Sequence, residues 1–310
     1  MAIFLAAFPR IDSCKTRIRA EWTRLLVAGT AYKGPCLDSL KIKYARINTL
    51  LCAESDSSKV IDYLRTLNPG PICIDSLIPN LIKFENIPAT FQFHRCPLVK
   101  EGKLIVQDRA SSLPALFLDP PHGSVVLDAC AAPGNKTTQL AAIMANSGTI
   151  SSLSIQRFEL LKSNIALASA SASTLCVNAD FLQINVEKDP YKKVEYILLD
   201  PSCSGSWMSS RDEDAWNTGS SSSRVPKEEL DQRIGKLSAF QEMALEKAMK
   251  FPNVKRIVYS TCSTNEQENE IVIANVLSKN PNFVLKDIPT FLSSWSRRGT
   301  NGLPTGFVLI

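Results

Sequence analysis

Only two histidines occur among the 310 residues, and the nine cysteines include no CxxC pair. That shortage excludes zinc sites built from closely spaced Cys and His, so no metal is expected. An odd number of scattered cysteines does not make a disulfide framework either. No apolar run approaches the roughly 20 residues that a bilayer-crossing helix needs, so no membrane association is expected. The opening "MAIFLAAFPRIDSC" has a short apolar stretch with no basic region before it, which speaks against a cleaved signal peptide. Phosphate-binding glycine loops are missing as well. "ACAAPGNKT" imitates the end of a Walker A motif, but Cys130 and Asn135 stand where glycines are required. The dinucleotide fingerprint GxGxxG fails because Gly134 stands alone.

What is present is an ordinary globular composition, 45% hydrophobic and 21% charged, in a chain long enough for two domains. The net charge of +5 is unevenly placed. Residues 1–105 hold 15 Lys/Arg against 9 Asp/Glu, whereas residues 106–310 hold 20 against 21. A basic first third fits a polyanion partner, and it fits a solvated basic face equally well.

The first third has a mixed pattern. "TRIRAEWTRLLVAG" has helical spacing, "KYARINTLLC" reads as a strand, and "DSSKVIDYLRTL" opens with an N-cap signal and continues as a helix. From about residue 106 apolar strands alternate with amphipathic helices. The strands are "SVVLDAC", "TISSLS", "TLCVNAD", "EYILLD", "RIVYSTC" and the closing "GFVLI"; helices include "KTTQLAAIMA", "RFELLKSNIALASA" and a long one near 227–250. Strands apolar on both faces, separated by helices, predict an α/β fold with a mainly parallel sheet covered on both sides. Such sheets bind ligands beyond the carboxyl ends of their strands. Asp128, Asp180, Asp200, Cys203 and Cys262 all fall at or just past those ends. "WNTGSSSSRVPKEE" reads as a flexible loop.

The Ala-Ala-Pro-Gly turn with Asp128 at the preceding strand end suits a ligand with a charged amino-acid part and a nucleoside but no phosphates. S-adenosylmethionine is such a ligand. "DACAAPGNKT", "LLDPSCSGS" and "YSTCSTNEQENE", in this order, resemble the signature motifs of the RsmB/NOP-type (Nop/Sun) RNA cytosine-5 methyltransferases. "LIVQDRASSLPALFL", "RINTL" and "HRCPLVKEGKL" are similar to family segments upstream, so the resemblance covers roughly residues 40 to 310. Asn135 and the "DPSC" form resemble the branch that acts on large-subunit ribosomal RNA.

The resemblance implies a Rossmann-like methyltransferase domain at 106–310, with its last strand truncated at "GFVLI", preceded by a smaller basic α+β RNA-binding domain at 1–105. It implies that Cys262 is the nucleophile, Cys203 aids product release, Asp200 holds the cytosine edge, and Lys136 neutralises charge. It places the cofactor along Cys130, Ala131, Ala132, Pro133, Gly134, Asn135 and Lys136, with Arg157, Asp180 and Asp200 nearby. A thiol nucleophile makes chemical sense, because addition at carbon 6 turns the unreactive carbon 5 of cytosine into an enamine-like nucleophile. That thiol needs a polar, reachable site such as a strand end or helix start.

Two positions depart from the family pattern. Ser152 stands where an acid should take both ribose hydroxyls, and Trp207 replaces a glycine in "SGSWM". These departures keep a second reading open, an RNA-binding assembly factor of the same fold with little cofactor affinity. A third, a DNA cytosine methyltransferase, would use Cys203 as the nucleophile. The leading reading predicts a monomer acting on large-subunit ribosomal RNA, in the nucleolus of a eukaryotic nucleus.

Overall fold

The computed structural model describes residues 2–6, 42–206, 227–286 and 307–309. In chain order the strands are β1 (Ala2–Ala6), β2 (Lys43–Ile47), β3 (Ile72–Ile74), β4 (Leu81–Phe84), β5 (Leu104–Val106), β6 (Val125–Asp128), β7 (Thr149–Leu153), β8 (Thr174–Val177), β9 (Tyr196–Leu199), β10 (Arg256–Thr261) and β11 (Phe307–Leu309). The helices are α1 (Ser57–Thr66), α2 (Pro97–Lys100), α3 (Arg109–Leu118), α4 (Asn135–Ile143), α5 (Phe158–Leu167), α6 (Lys227–Ala248) and α7 (Glu270–Lys279). The fold is therefore mixed α/β. Contacts divide the chain into a unit of residues 31–179 and a second that joins 1–30 to 180–310.

In the first unit, β2 to β5 form an antiparallel sheet in the order β3-β4-β2-β5. Ala45, Ile47, Ile82, Phe84 and Leu104 from these strands pack with Val60 and Leu64, one turn apart on α1, into a single apolar cluster. The N-cap signal before α1 acts differently from expectation. A 3-10 turn at Glu54–Asp56 leads into the helix, so Asp56 has helical backbone angles and its carboxylate caps nothing. It pairs instead with Lys59 at 2.7 Å.

The same unit carries the parallel run β6-β7-β8, with Asp128 paired to Ser152 and Ser152 to Cys176. Val126, Leu127 and Ile150 are fully buried, as expected for strands covered on both faces.

In the second unit, β9 and β10 run parallel, with Leu199 opposite Tyr259. All four residues of β9 are buried. β1 pairs antiparallel with β10, and β11 antiparallel with β1. The short apolar opening of the chain is thus a sheet strand, and these two antiparallel additions make the sheet mixed. Helix α6 buries Ile234, Gln241, Ala244, Leu245 and Ala248, a spacing that keeps one face inward.

Among the described residues no helix is long and apolar enough to cross a membrane, and no cluster of His, Cys, Asp or Glu is placed to hold a metal. The predicted helix over "TRIRAEWTRLLVAG", residues 216–226 of the Ser-rich stretch, and Trp207 lie outside the described residues.

Candidate active site

In the first unit, β6 ends at Asp128 and the chain turns through Cys130, Ala131, Ala132 and Pro133 into α4. Asp128 is fully buried and accepts a 2.7 Å hydrogen bond from Thr137 Oγ1, which ties the strand end to the first turn of the helix. Gly134 sits directly before α4 with φ +107°, and a Cβ there would lie 3.1 Å from Leu161 Cδ1. Glycine is thus required twice over, by the left-handed backbone and by the close approach of α5. The turn is bonded at several points. Arg157 donates to the Ala132 carbonyl at 2.9 Å, Asn164 Nδ2 donates to the Pro133 carbonyl at 2.8 Å, and the Ala131 N–H reaches the Leu153 carbonyl at 3.0 Å. Arg157 thereby braces the turn along which the cofactor is expected.

Behind this turn sits Arg46, which sequence reading quoted in "RINTL" without giving it a role. It is 3% exposed, and its guanidinium donates to Gln107 Oε1 at 3.0 Å and Thr138 Oγ1 at 3.1 Å, with a longer 3.5 Å contact to the Asn135 carbonyl. Gln107 in turn donates to Gln139 Oε1 at 2.8 Å, and Gln139 to the Ser112 carbonyl at 2.8 Å. Burial lowers the Arg46 guanidinium to about 9, which leaves it charged at neutral pH. Asn135 also donates from Nδ2 to the Val106 carbonyl at 3.2 Å. Lys136 is half-buried in the first turn of α4, an end where the helix dipole disfavours a cation and favours an anionic neighbour.

Ser152 lies at 0% exposure, and its hydroxyl has no hydrogen-bond partner among the described residues. Such an orphan is uncommon in a folded protein. The small side chains of the turn, the glycine and a spare buried hydroxyl fit a ligand that presents hydroxyls rather than phosphates, as S-adenosylmethionine does.

In the second unit, β9 and β10 carry both thiols past their carboxyl ends. The Sγ atoms of Cys203 and Cys262 are 3.0 Å apart, and the Cys262 N–H points at Cys203 Sγ at 3.3 Å. Asp200, directly after β9, accepts a 2.6 Å hydrogen bond from Ser260 Oγ on β10. Asp180 accepts from the Leu182 N–H at 2.9 Å, capping a 3-10 turn. The Cys203 thiol is pushed well up by its hydrogen bond to the Cys262 sulfur and by burial, against the N–H groups of Gly205 and Cys262. The Cys203 thiol is thus held toward its protonated form, 3.0 Å from the Cys262 sulfur. The helix that follows Cys262 begins only at Glu270, so Cys262 stands at a strand end and not at a helix start.

Sequence reading missed the group that joins the two thiol loops, although it quoted the stretch containing it. Glu268 is fully buried, and its carboxylate accepts from Ser204 beside Cys203, from Ser263 beside Cys262, and from Gln241 on α6. A carboxylate inside "NEQENE", a run of polar residues, gives no sequence sign that it turns inward.

Residues 115–304 match the family model described as 16S rRNA methyltransferase RsmB/F. The chain is 38% identical to the 28S rRNA (cytosine-C(5))-methyltransferase of Mus musculus over 94% of this chain and 65% of that relative. It is 34% identical to the 25S rRNA (cytosine-C(5))-methyltransferase rcm1 of Schizosaccharomyces pombe over 92% of this chain and 63% of that one. The chain thus spans somewhat under two thirds of either relative's length. A solved methyltransferase homolog protein from Pyrococcus horikoshii, 24% identical, superposes with TM-score 0.60 over 78% of this chain and 70% of that one, a likeness of fold. With a family model covering more than half its length, this chain belongs to the RsmB/F rRNA methyltransferase family.

Proposed function

We propose that this chain is an S-adenosylmethionine-dependent RNA (cytosine-5-)-methyltransferase that acts on large-subunit ribosomal RNA through a covalent Cys262–cytosine adduct. The observation that carries the reading is the 3.0 Å approach of Cys203 to Cys262 beside Asp200, at the ends of two parallel strands. The names of the mouse and fission-yeast relatives support the ribosomal substrate.

Cys262 Sγ donates an electron pair to carbon 6 of the cytosine, and the carbon 5–carbon 6 π pair moves to carbon 5. Asp200, its carboxyl steadied by Ser260, bonds the base edge and holds the ring in place. Cys130–Lys136 and Ser152 would hold S-adenosylmethionine, which would supply a methyl group on a sulfonium; the resemblance adds Asp180 and Asp200 to the residues that would contact it. Lys136 adds positive charge beside that turn. Once carbon 5 carries the methyl, its proton passes to solvent water, the C–H electron pair re-forms the carbon 5–carbon 6 double bond, and the Cys262–carbon 6 bond breaks with its electron pair returning to Cys262 Sγ. Cys203 assists this release with the thiol proton it keeps beside that sulfur.

Carbon 6 is shielded within a stacked helix, so the target cytosine is presented from unpaired or extruded RNA. The basic excess of residues 1–105 supports an RNA-holding role for that part, with the chemistry in 106–310. A monomer working in the nucleolus completes the reading.

Cys262→Ala should lower methyl transfer to an unmodified large-subunit rRNA transcript by on the order of 10³ or more. A fully active variant refutes the mechanism.

One observation favours a second reading, an RNA-binding assembly factor with weak cofactor affinity. A neutral Ser152 makes fewer and weaker bonds to a ribose than a carboxylate does. Calorimetry with S-adenosylmethionine on the native chain and on Ser152→Asp separates the two. Micromolar binding by the native chain supports the enzyme, and binding by the variant alone supports the factor.

A further inference from the structure

Glu268 receives five hydrogen bonds while fully buried. Oε1 accepts from the Ser204 N–H at 2.8 Å and from Gln241 Nε2 at 3.1 Å. Oε2 accepts from Ser204 Oγ at 2.5 Å, Ser263 Oγ at 2.6 Å and Asn265 Nδ2 at 3.2 Å. Among the described residues no Lys or Arg pairs with it, so a buried negative charge is held by hydrogen bonds alone. A neutral group of the same shape would avoid the desolvation cost of that charge. Gln241 also donates to the Ser202 carbonyl at 3.0 Å, one residue before Cys203. The anchor thus grips the residues on either side of Cys203 and the residue after Cys262.

An amide could not replace this carboxylate silently. The Ser204 N–H can only donate to Oε1, and Gln241 Nε2 is oriented to donate there by its second bond to the Ser202 carbonyl, so a glutamine would direct its own NH2 to the other side. There it would face the Asn265 donor, and the hydroxyls of Ser204 and Ser263 would have to reverse.

We propose that Glu268 is a positioning residue that holds the Cys203 thiol against Cys262 for the release step, rather than for formation of the adduct. This rests on the covalent reading given above. Adduct formation needs only Cys262 and a bound cytosine, whereas release needs the second thiol at the right distance. Loosening the Ser204 and Ser263 tethers separates the sulfur atoms and should slow release selectively.

The test uses Cys203→Ala, Glu268→Gln and Ser204→Ala proteins with an unmodified eukaryotic large-subunit rRNA transcript and S-adenosylmethionine. Covalent RNA–protein adduct is read on denaturing gels beside methyl turnover, and thermal melting checks folding. Glu268→Gln should lose about 10- to 100-fold in turnover, the scale set by hydrogen bonds to a charged group, while accumulating adduct as Cys203→Ala does. Ser204→Ala should shift in the same direction by less, and it decides the matter if Glu268→Gln does not fold. Adduct and turnover falling in parallel, or both staying at the native level, overturns the positioning role. If Cys203→Ala traps adduct and the other two do not, this proposal alone fails. If Cys203→Ala traps none, the release reading fails and takes this proposal with it.

Discussion

Cys203 and Cys262 occupy equivalent places, yet their surroundings divide the work between them. The hydrogen bond to the Cys262 sulfur and burial push the Cys203 thiol up, which suits the proton-holding part that the proposed mechanism gives it, while that mechanism gives the nucleophile's part to Cys262. Glu268 makes a separate prediction about stability. Burial works to raise its carboxyl, but the bonds from Ser204, Ser263 and Asn265 outweigh that and leave it below its ordinary 4.5. The folded chain therefore binds fewer protons there than the unfolded chain. The stabilisation is present above the ordinary value and is lost as pH falls through the lowered one. Denaturant midpoints of the native protein should drop across that acid window, and Glu268→Gln should flatten the drop. Equal slopes for the two proteins would contradict the assignment. Gly134→Ala should destabilise by about 1–2 kcal/mol in urea unfolding, because alanine strains at a positive φ and crowds Leu161. A change within experimental error would mean the turn is not built as described.

At the scale of elements, Arg46 joins β2 to the start of α4 through Thr138, and to α3 through Gln107 and Gln139. Arg46→Met should cost roughly 2–3 kcal/mol in denaturant unfolding, since Gln107 Oε1 and other buried acceptors lose their donor. Arg46→Lys should recover only part of that, because a single ammonium cannot fork to two separated acceptors. Full recovery by lysine would show that charge, and not geometry, matters at this position. Elements of this kind were legible where the signal is periodic. β6, β7, β9, β10 and the long helix α6 all fall where apolar runs and helical spacing put them. β1 was not, because five apolar residues alone do not distinguish a strand from other uses of a hydrophobic start. The Asp56 cap misled for a local reason, since a preceding 3-10 turn changes the backbone angles that capping needs. The expected strand-end placement of Cys203, Cys262 and Asp200 is what the structure shows, whereas Arg46 and Glu268 act through buried tertiary bonds that have no sequence period.

For the whole molecule, the basic excess of residues 1–105 predicts that RNA is held largely through its phosphates. Affinity for a single-stranded rRNA fragment should then fall by roughly tenfold or more between about 50 and 200 mM salt, the slope expected for some three phosphate contacts. Salt-independent binding would assign recognition to stacking or base contacts instead. The central claim, a covalent adduct at Cys262, is tested most directly with an rRNA transcript that carries 5-fluorocytidine. Fluorine at carbon 5 leaves no proton to remove, so a productive attack ends in a trapped adduct. Mass spectrometry of the digested complex should find the nucleotide on the Cys262 peptide. A nucleotide on Cys203, or no adduct in the presence of bound cofactor, would contradict the account.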